Sequence, residues 1–354
     1  MKSNANNRIV QRPDSYRGEL GQRDGVRRQI DSRRRLEVRR FSLTSGGASE
    51  SLALRCRAWL VLALLVSSGC ADPANNTLVV SEFTTWKLPA DGRRIPAPRA
   101  LYADKDDTVY ALDDAGRVLI YSSAGELQNV WRMPDYEVGR PEGIVKLLDG
   151  RVAVADTHYH RVVFFHPDGT VESLLGTQGI EPGQFVYPVA IAQDPDGFIY
   201  VGEYGDRQRI QKFDPTGKFI VEFGEHGTEP GQFQRPSGIA WSNGTIFAVD
   251  AFNNRIQAFS DSGEFLRIVE LQTDEGGFEF PYDIRGTADG RLFVIENKAA
   301  RITVLTEDGT LIGRYGQPGR SEGGFLTPWS LTVLSDGRVL VADTGNHRIV
   351  ELTL

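Results

Sequence analysis

Six times along this chain an acidic residue is followed four to six positions later by Arg: Asp113/Arg117, Asp156/Arg161, Glu203/Arg209, Asp250/Arg255, Glu296/Arg301 and Asp343/Arg348. The steps from Arg to Arg are 44, 48, 46, 46 and 47 residues. A period of that size marks an array of supersecondary units, each too small to bury its own apolar face. The chain must therefore fold as a stack or a ring of neighbours.

The second to sixth units share a grammar. Each opens on Pro, a variable residue, a usually small residue and an aliphatic one, as in Pro141-Glu142-Gly143-Ile144 and Pro236-Ser237-Gly238-Ile239. A turn such as Asp149-Gly150 or Asn243-Gly244 follows, with the left-handed backbone that tight hairpins need. Next come a short apolar run ending in acid (Val152-Ala153-Val154-Ala155-Asp156), a strand after the Arg (Ile210-Gln211-Lys212-Phe213) and a fourth strand beyond a second Gly turn. Four hairpin-linked strands per unit describe a propeller blade, and helical periodicity is absent after residue 70. The first unit (Pro98 to Tyr121) is degenerate, and the sixth ends at Leu354 after its third strand. Ser81–Leu88 is predicted to supply the missing outer strand, which closes the ring and removes an open sheet edge. The expected fold is all-β, a six-bladed propeller of four-stranded antiparallel blades closed by an N-terminal strand.

These motifs resemble the NHL-repeat family of six-bladed propellers. The resemblance lies in the Pro-x-Gly-Ile start, in the Glu181-Pro182-Gly183-Gln184-Phe185 and Glu229-Pro230-Gly231-Gln232-Phe233 connections, and in the loop Asp343-Thr344-Gly345-Asn346-His347-Arg348-Ile349. It covers about residues 96–354; unit five departs from it with Asn297-Lys298-Ala299-Ala300 in its loop, and unit one has a shortened loop.

The front of the chain is different. Residues 1–57 hold 14 Lys or Arg and 6 Asp or Glu, with few large apolar residues, the composition of a disordered segment. The apolar run 58–68 follows Arg55-Cys56-Arg57 and reads as a secretory signal. It ends Ser67-Ser68-Gly69-Cys70, which resembles a bacterial lipobox with Ser67 where Leu is usual. Lipidation at Cys70 and a simple cleavage nearby are the two readings. The expected organisation is a leader and signal over 1–69, a tether over 70–80 and the propeller over 81–354, exported and held in the cell envelope by a lipid anchor. The whole chain carries −7 and residues 1–69 carry +8, so the remainder carries −15. An acidic, exported domain is a poor match for phosphate, which excludes nucleic acid as a partner. The chain has two Cys, at 56 and 70, so the propeller has no thiol for a disulfide, a metal or a nucleophile.

A charge pair present in every unit does a job that every unit needs, so the acid–Arg pairs are assigned to structure. The positions that differ between units carry more information about function. The residue after the opening Pro reads Arg99, Glu142, Val189, Ser237, Tyr282 and Trp329, and Asp283 replaces the small residue that follows. These are expected at one channel mouth, joined by Tyr159, Tyr204, Phe252 and Asn253 from the acid-to-Arg loops. Aromatic rings with two carboxylates and an Arg fit a peptide, glycan or protein partner. The family resemblance adds an enzymatic alternative. Some NHL propellers are peptidyl-hydroxyglycine lyases that hold a channel zinc by histidines of different blades, and His158, His160 and His347 are the possible zinc ligands, His166 and His226 falling in turns or connections. Related six-bladed folds include calcium lactonases, for which Glu142, Asp283 and Asn253 are the possible counterparts. A binding module and a Zn- or Ca-dependent lyase or lactonase are thus the two expectations.

Overall fold

A computed structural model describes residues 76–274 and 276–354. The expected leader and signal, and the candidate lipidation site Cys70, lie outside the described residues.

Six four-stranded antiparallel sheets make the ring. Blade one consists of Pro98–Ala103, Val109–Asp113, Arg117–Tyr121 and Leu127–Arg132. Blades two to five repeat the pattern over 143–175, 187–223, 236–269 and 281–315. Blade six is built from Ser330–Val333, Val339–Asp343 and Arg348–Thr353, and its outermost strand is Glu82–Lys87 from the front of the chain. Glu82 pairs with Thr353 and Lys87 with Arg348, as the missing outer strand of the last repeat requires. Trp86 anchors this strand: its indole N–H donates to Glu351 at 2.6 Å, and its ring lies 5.6 Å from that of Tyr121. Residues 76–80, expected as part of a tether, lie along blade five, where the amide of Leu78 donates to the Arg314 carbonyl at 2.9 Å.

The first strand of each blade is innermost and packs on the first strand of the next. The ring joins up where the Leu101 and Ala103 amides of blade one donate to the Ser330 and Thr332 hydroxyls of blade six, both at 3.0 Å. That close approach explains the small residue of the repeat start. A Cβ on Gly143 would come within 2.5 Å of the Val189 carbonyl, and one on Gly238 within 2.8 Å of the Asp283 backbone. Between blades the faces meet as apolar layers. Leu112, Val118 and Ile120 of blade one pack with Ile144, Val154 and Phe165 of blade two, all buried. Phe185, Phe233 and Phe325, each closing its inter-blade connection, are fully buried wedges. Burying such a ring contributes on the order of 1.5–3 kcal/mol.

All six acid–Arg pairs form, at 2.7–2.9 Å, with each carboxylate at most 1% exposed. In blades three to six the acid also accepts the amide two residues before the opening Pro: Val186 to Glu203, Gln234 to Asp250, Glu279 to Glu296 and Leu326 to Asp343. The acid thus fastens the entry of its own blade to the middle of its sheet. Blade two departs. Asp156 Oδ1 is buried without a partner, and burial pushes this carboxyl up to about 6 against the opposing pull of Arg161.

Candidate functional site: two ends of one channel

The bulge that follows the opening Pro sets up the first mouth. In blades one, three, four and five the pairing register slips at Arg99, Val189, Ser237 and Tyr282. A bulge re-aims a side chain, and here Arg99 and Tyr282 reach the channel. The Tyr282 hydroxyl donates to Glu142 at 2.8 Å, linking blade five to blade two on the far side of the ring. Arg99 donates to the other Glu142 oxygen at 2.8 Å and lies 4.0 Å over the Trp329 ring. Arg235 donates to the Tyr282 oxygen at 2.6 Å and to Glu142 at 3.3 Å, with its guanidinium 4.1 Å over Tyr204.

The electrostatics follow from this packing. Burial first, then the Glu142 carboxylate, push the Tyr282 hydroxyl well above the ordinary phenol value, so it stays a donor. Burial opposes charge on Arg235, yet Tyr282 and Glu142 beside it hold its guanidinium above its usual value. Glu142, predicted to face a ligand, is 5% exposed and saturated by two guanidinium groups and a hydroxyl. Asp283 is likewise engaged, by Arg285 at 2.6 Å and by the Ser330 hydroxyl at 2.6 Å. Three Arg therefore face two carboxylates along the channel, a balance that does not favour a further cation there. Asn253 stands apart, bonded to Asp250 and to the Gly227 carbonyl.

The histidines are distributed rather than gathered. His160 Nδ1 contacts the Val186 carbonyl at the start of blade three, and His347 Nδ1 the Ile95 carbonyl at 2.9 Å, ahead of blade one. A carbonyl only accepts, so each Nδ1 carries the proton. Gln208 and Asn254 occupy the same loop position in blades three and four, and there accept the amides of Arg235 and Phe280. The position before the loop Arg is thus a latch between blades. His158 is exposed and accepts the Arg140 amide at 3.4 Å. Blade one separates the His158/His160 loop from His347. Among the described residues no group of three or more His, Cys, Asp or Glu is placed to hold a metal ion. Tyr159 is also a fastener, its hydroxyl accepting the Glu137 and Val138 amides at 3.0 and 3.1 Å.

Three residues that the repeat pattern did not single out complete this mouth: Tyr187, Arg235 and Phe280, each immediately before the opening Pro. Arg235 and Phe280 have φ of 67° and 53°, a left-handed backbone that is strained for large side chains. Tyr187 stacks on Tyr204 at 5.0 Å, and Phe280 stacks on Phe252 at 5.4 Å and lies 5.8 Å from Tyr282. The signal was present in the sequence, since this position varies between blades as much as the one after Pro. Beside it, Phe252, Phe280, Leu326 and Lys298 line a groove of about 580 Å³, and Phe252 is 57% exposed.

Behind the Glu142–Tyr282 link the channel narrows to a void of about 20 Å³ floored by Arg285. Beyond Arg285 it widens into a cavity of about 820 Å³ at the second mouth, where all six innermost strands end.

A family model described as NHL repeat matches residues 325–352. No curated protein matches the chain. Among solved structures, virginiamycin B lyase from Staphylococcus aureus is 17% identical, covering 77% of this chain and 99% of its own, with a TM-score of 0.56. A gluconolactonase from Xanthomonas campestris is 16% identical over 74% of this chain and 87% of its own, TM-score 0.57. An auxiliary nutrient binding protein from Bacteroides ovatus is 14% identical over 77% of this chain and 76% of its own, TM-score 0.58. At these identities the likeness is one of fold.

Proposed function

We propose that this six-bladed propeller, whose last repeat matches the NHL-repeat model, works as an exported recognition module. On this reading a protein or peptide partner docks on the first mouth, and the chain is held in the cell envelope through a lipid on Cys70. The observation that carries it is the state of Glu142. The carboxylate best placed for chemistry is locked between Arg99, Arg235 and Tyr282, while the exposed Phe252 on Phe280 opens into an apolar groove of about 580 Å³. A groove of that size takes one or two apolar side chains of a partner. The binding protein among the fold neighbours supports the same reading.

The test is a peptide array probed with the wild-type chain and with Phe252→Ala. Apolar or aromatic peptides should be retained by the first and lost by the second, and equal retention by both would sink the assignment. A second reading, a metal-dependent lyase or lactonase at the same mouth, is supported by neighbours described as a lyase and a gluconolactonase. Bound zinc or calcium after dialysis without chelator, together with turnover of an amide-glycolate or a lactone, would establish it in place of the first.

A further inference from the structure

The second mouth goes beyond that reading and does not depend on it. Its cavity of about 820 Å³ takes one side chain from the end of each innermost strand: Tyr102, Lys146, Gln193, Trp241, Arg285 and Val333. The carboxylates around it are already engaged. Asp104 accepts Lys146 at 2.7 Å and the amides of Asp106 and Thr108. Asp194 accepts the Tyr200 hydroxyl at 3.0 Å and the amides of Asp196 and Phe198.

Three of the donors are less fully engaged. Arg285 spends Nη1 on Asp283 and Nη2 on the Leu101 carbonyl, and its Nε is buried without a partner. Among the described residues, neither the Tyr102 hydroxyl nor the Trp241 indole N–H is engaged in a hydrogen bond. Burial pushes the Tyr102 hydroxyl above the ordinary phenol value, only partly opposed by Arg285, so it keeps its proton and remains a donor. Neither the Tyr102 hydroxyl nor the Trp241 N–H is fully buried, so both present a donor to the cavity that an acceptor inside it can meet. The walls between these donors are apolar, formed by Ile191, Ile239 and Leu334.

The geometry points to a binding site for a small organic carboxylate, its anionic group accepting from Tyr102 and Arg285 and its body resting against Trp241. A peptide C-terminus and an acidic sugar share that chemistry. The experiment titrates the protein with two matched pairs, N-acetylphenylalanine against its amide and methyl glucuronide against methyl glucoside, by calorimetry and tryptophan fluorescence. The carboxylate of at least one pair should bind about 10-fold or more tighter than its neutral partner. Tyr102→Phe should weaken it by about 10-fold, and Trp241→Phe should remove most of the fluorescence change, both variants keeping the wild-type unfolding midpoint. Preference in the first pair identifies a peptide terminus, and preference in the second an acidic sugar. No binding by either carboxylate up to about 10 mM, no preference for charge, or wild-type affinity in Tyr102→Phe would each overturn the assignment.

Discussion

Tyr282 and Glu142 stand on opposite blades and meet across the channel at 2.8 Å. The bond works as a tie across the diameter, with Arg99 and Arg235 compensating the buried carboxylate. Removing one partner from such a network leaves uncompensated charge in a buried site. Glu142→Leu is expected to lower stability by about 3–5 kcal/mol in urea unfolding, and Glu142→Gln, which keeps one of the two acceptor oxygens, by clearly less. Equal losses would show that the carboxylate charge carries the whole effect and the retained amide oxygen none.

Asp156 makes stability depend on pH in an unusual direction. Its folded carboxyl sits at about 6 against an ordinary 3.8. A raised carboxyl contributes stability that is full below the unfolded value and lost as pH rises through the folded one. Relative to Asp156→Asn, the wild type should therefore gain about 1 kcal/mol between pH 7.5 and pH 5. A carbon-detected titration placing Asp156 near 4 would remove the basis for this.

The histidine latches are interchangeable parts. Because Gln208 and Asn254 serve the same loop position, His160→Gln and His347→Asn should each cost no more than about 1 kcal/mol. Dialysis against a chelator should leave the thermal midpoint of the wild type where it was. A fall of several degrees on chelation would return these residues to the metal reading.

Trp86 fastens the closing strand to the ring. It is 6% exposed, tilted against the Tyr121 ring and bonded to Glu351. Trp86→Ala should cost about 3–5 kcal/mol and expose the Arg348–Thr353 edge, which light scattering would report as concentration-dependent association.

The architecture was legible because it is written many times over. Six acid–Arg pairs, five Asp-Gly or Asn-Gly turns and an unfinished last blade all specify one ring, and Glu82–Lys87 completes it. The site was legible only in part. Glu142, Tyr282 and Trp329 were found at one mouth because they vary on a repeated position, but variation does not say whether a residue greets a ligand or a neighbour. Glu142 proved to be bound by Arg235, from a position one residue before the repeat Pro that no motif marks. The second mouth was invisible for a similar reason. Its donors, Tyr102, Trp241 and Arg285, sit at strand ends of three different blades and converge only once the ring is closed.

The pairing of Glu82–Lys87 with Arg348–Thr353 joins a strand from the front of this fold to its last. During synthesis the earlier strand waits while five complete blades are made. Until Arg348–Thr353 emerges, its partner edge does not exist, and blade one has no neighbour on one flank. The circle is therefore a late event, and every earlier stage is an open arc whose two ends are apolar. A cell that makes this chain has to shield that arc until the final strand arrives.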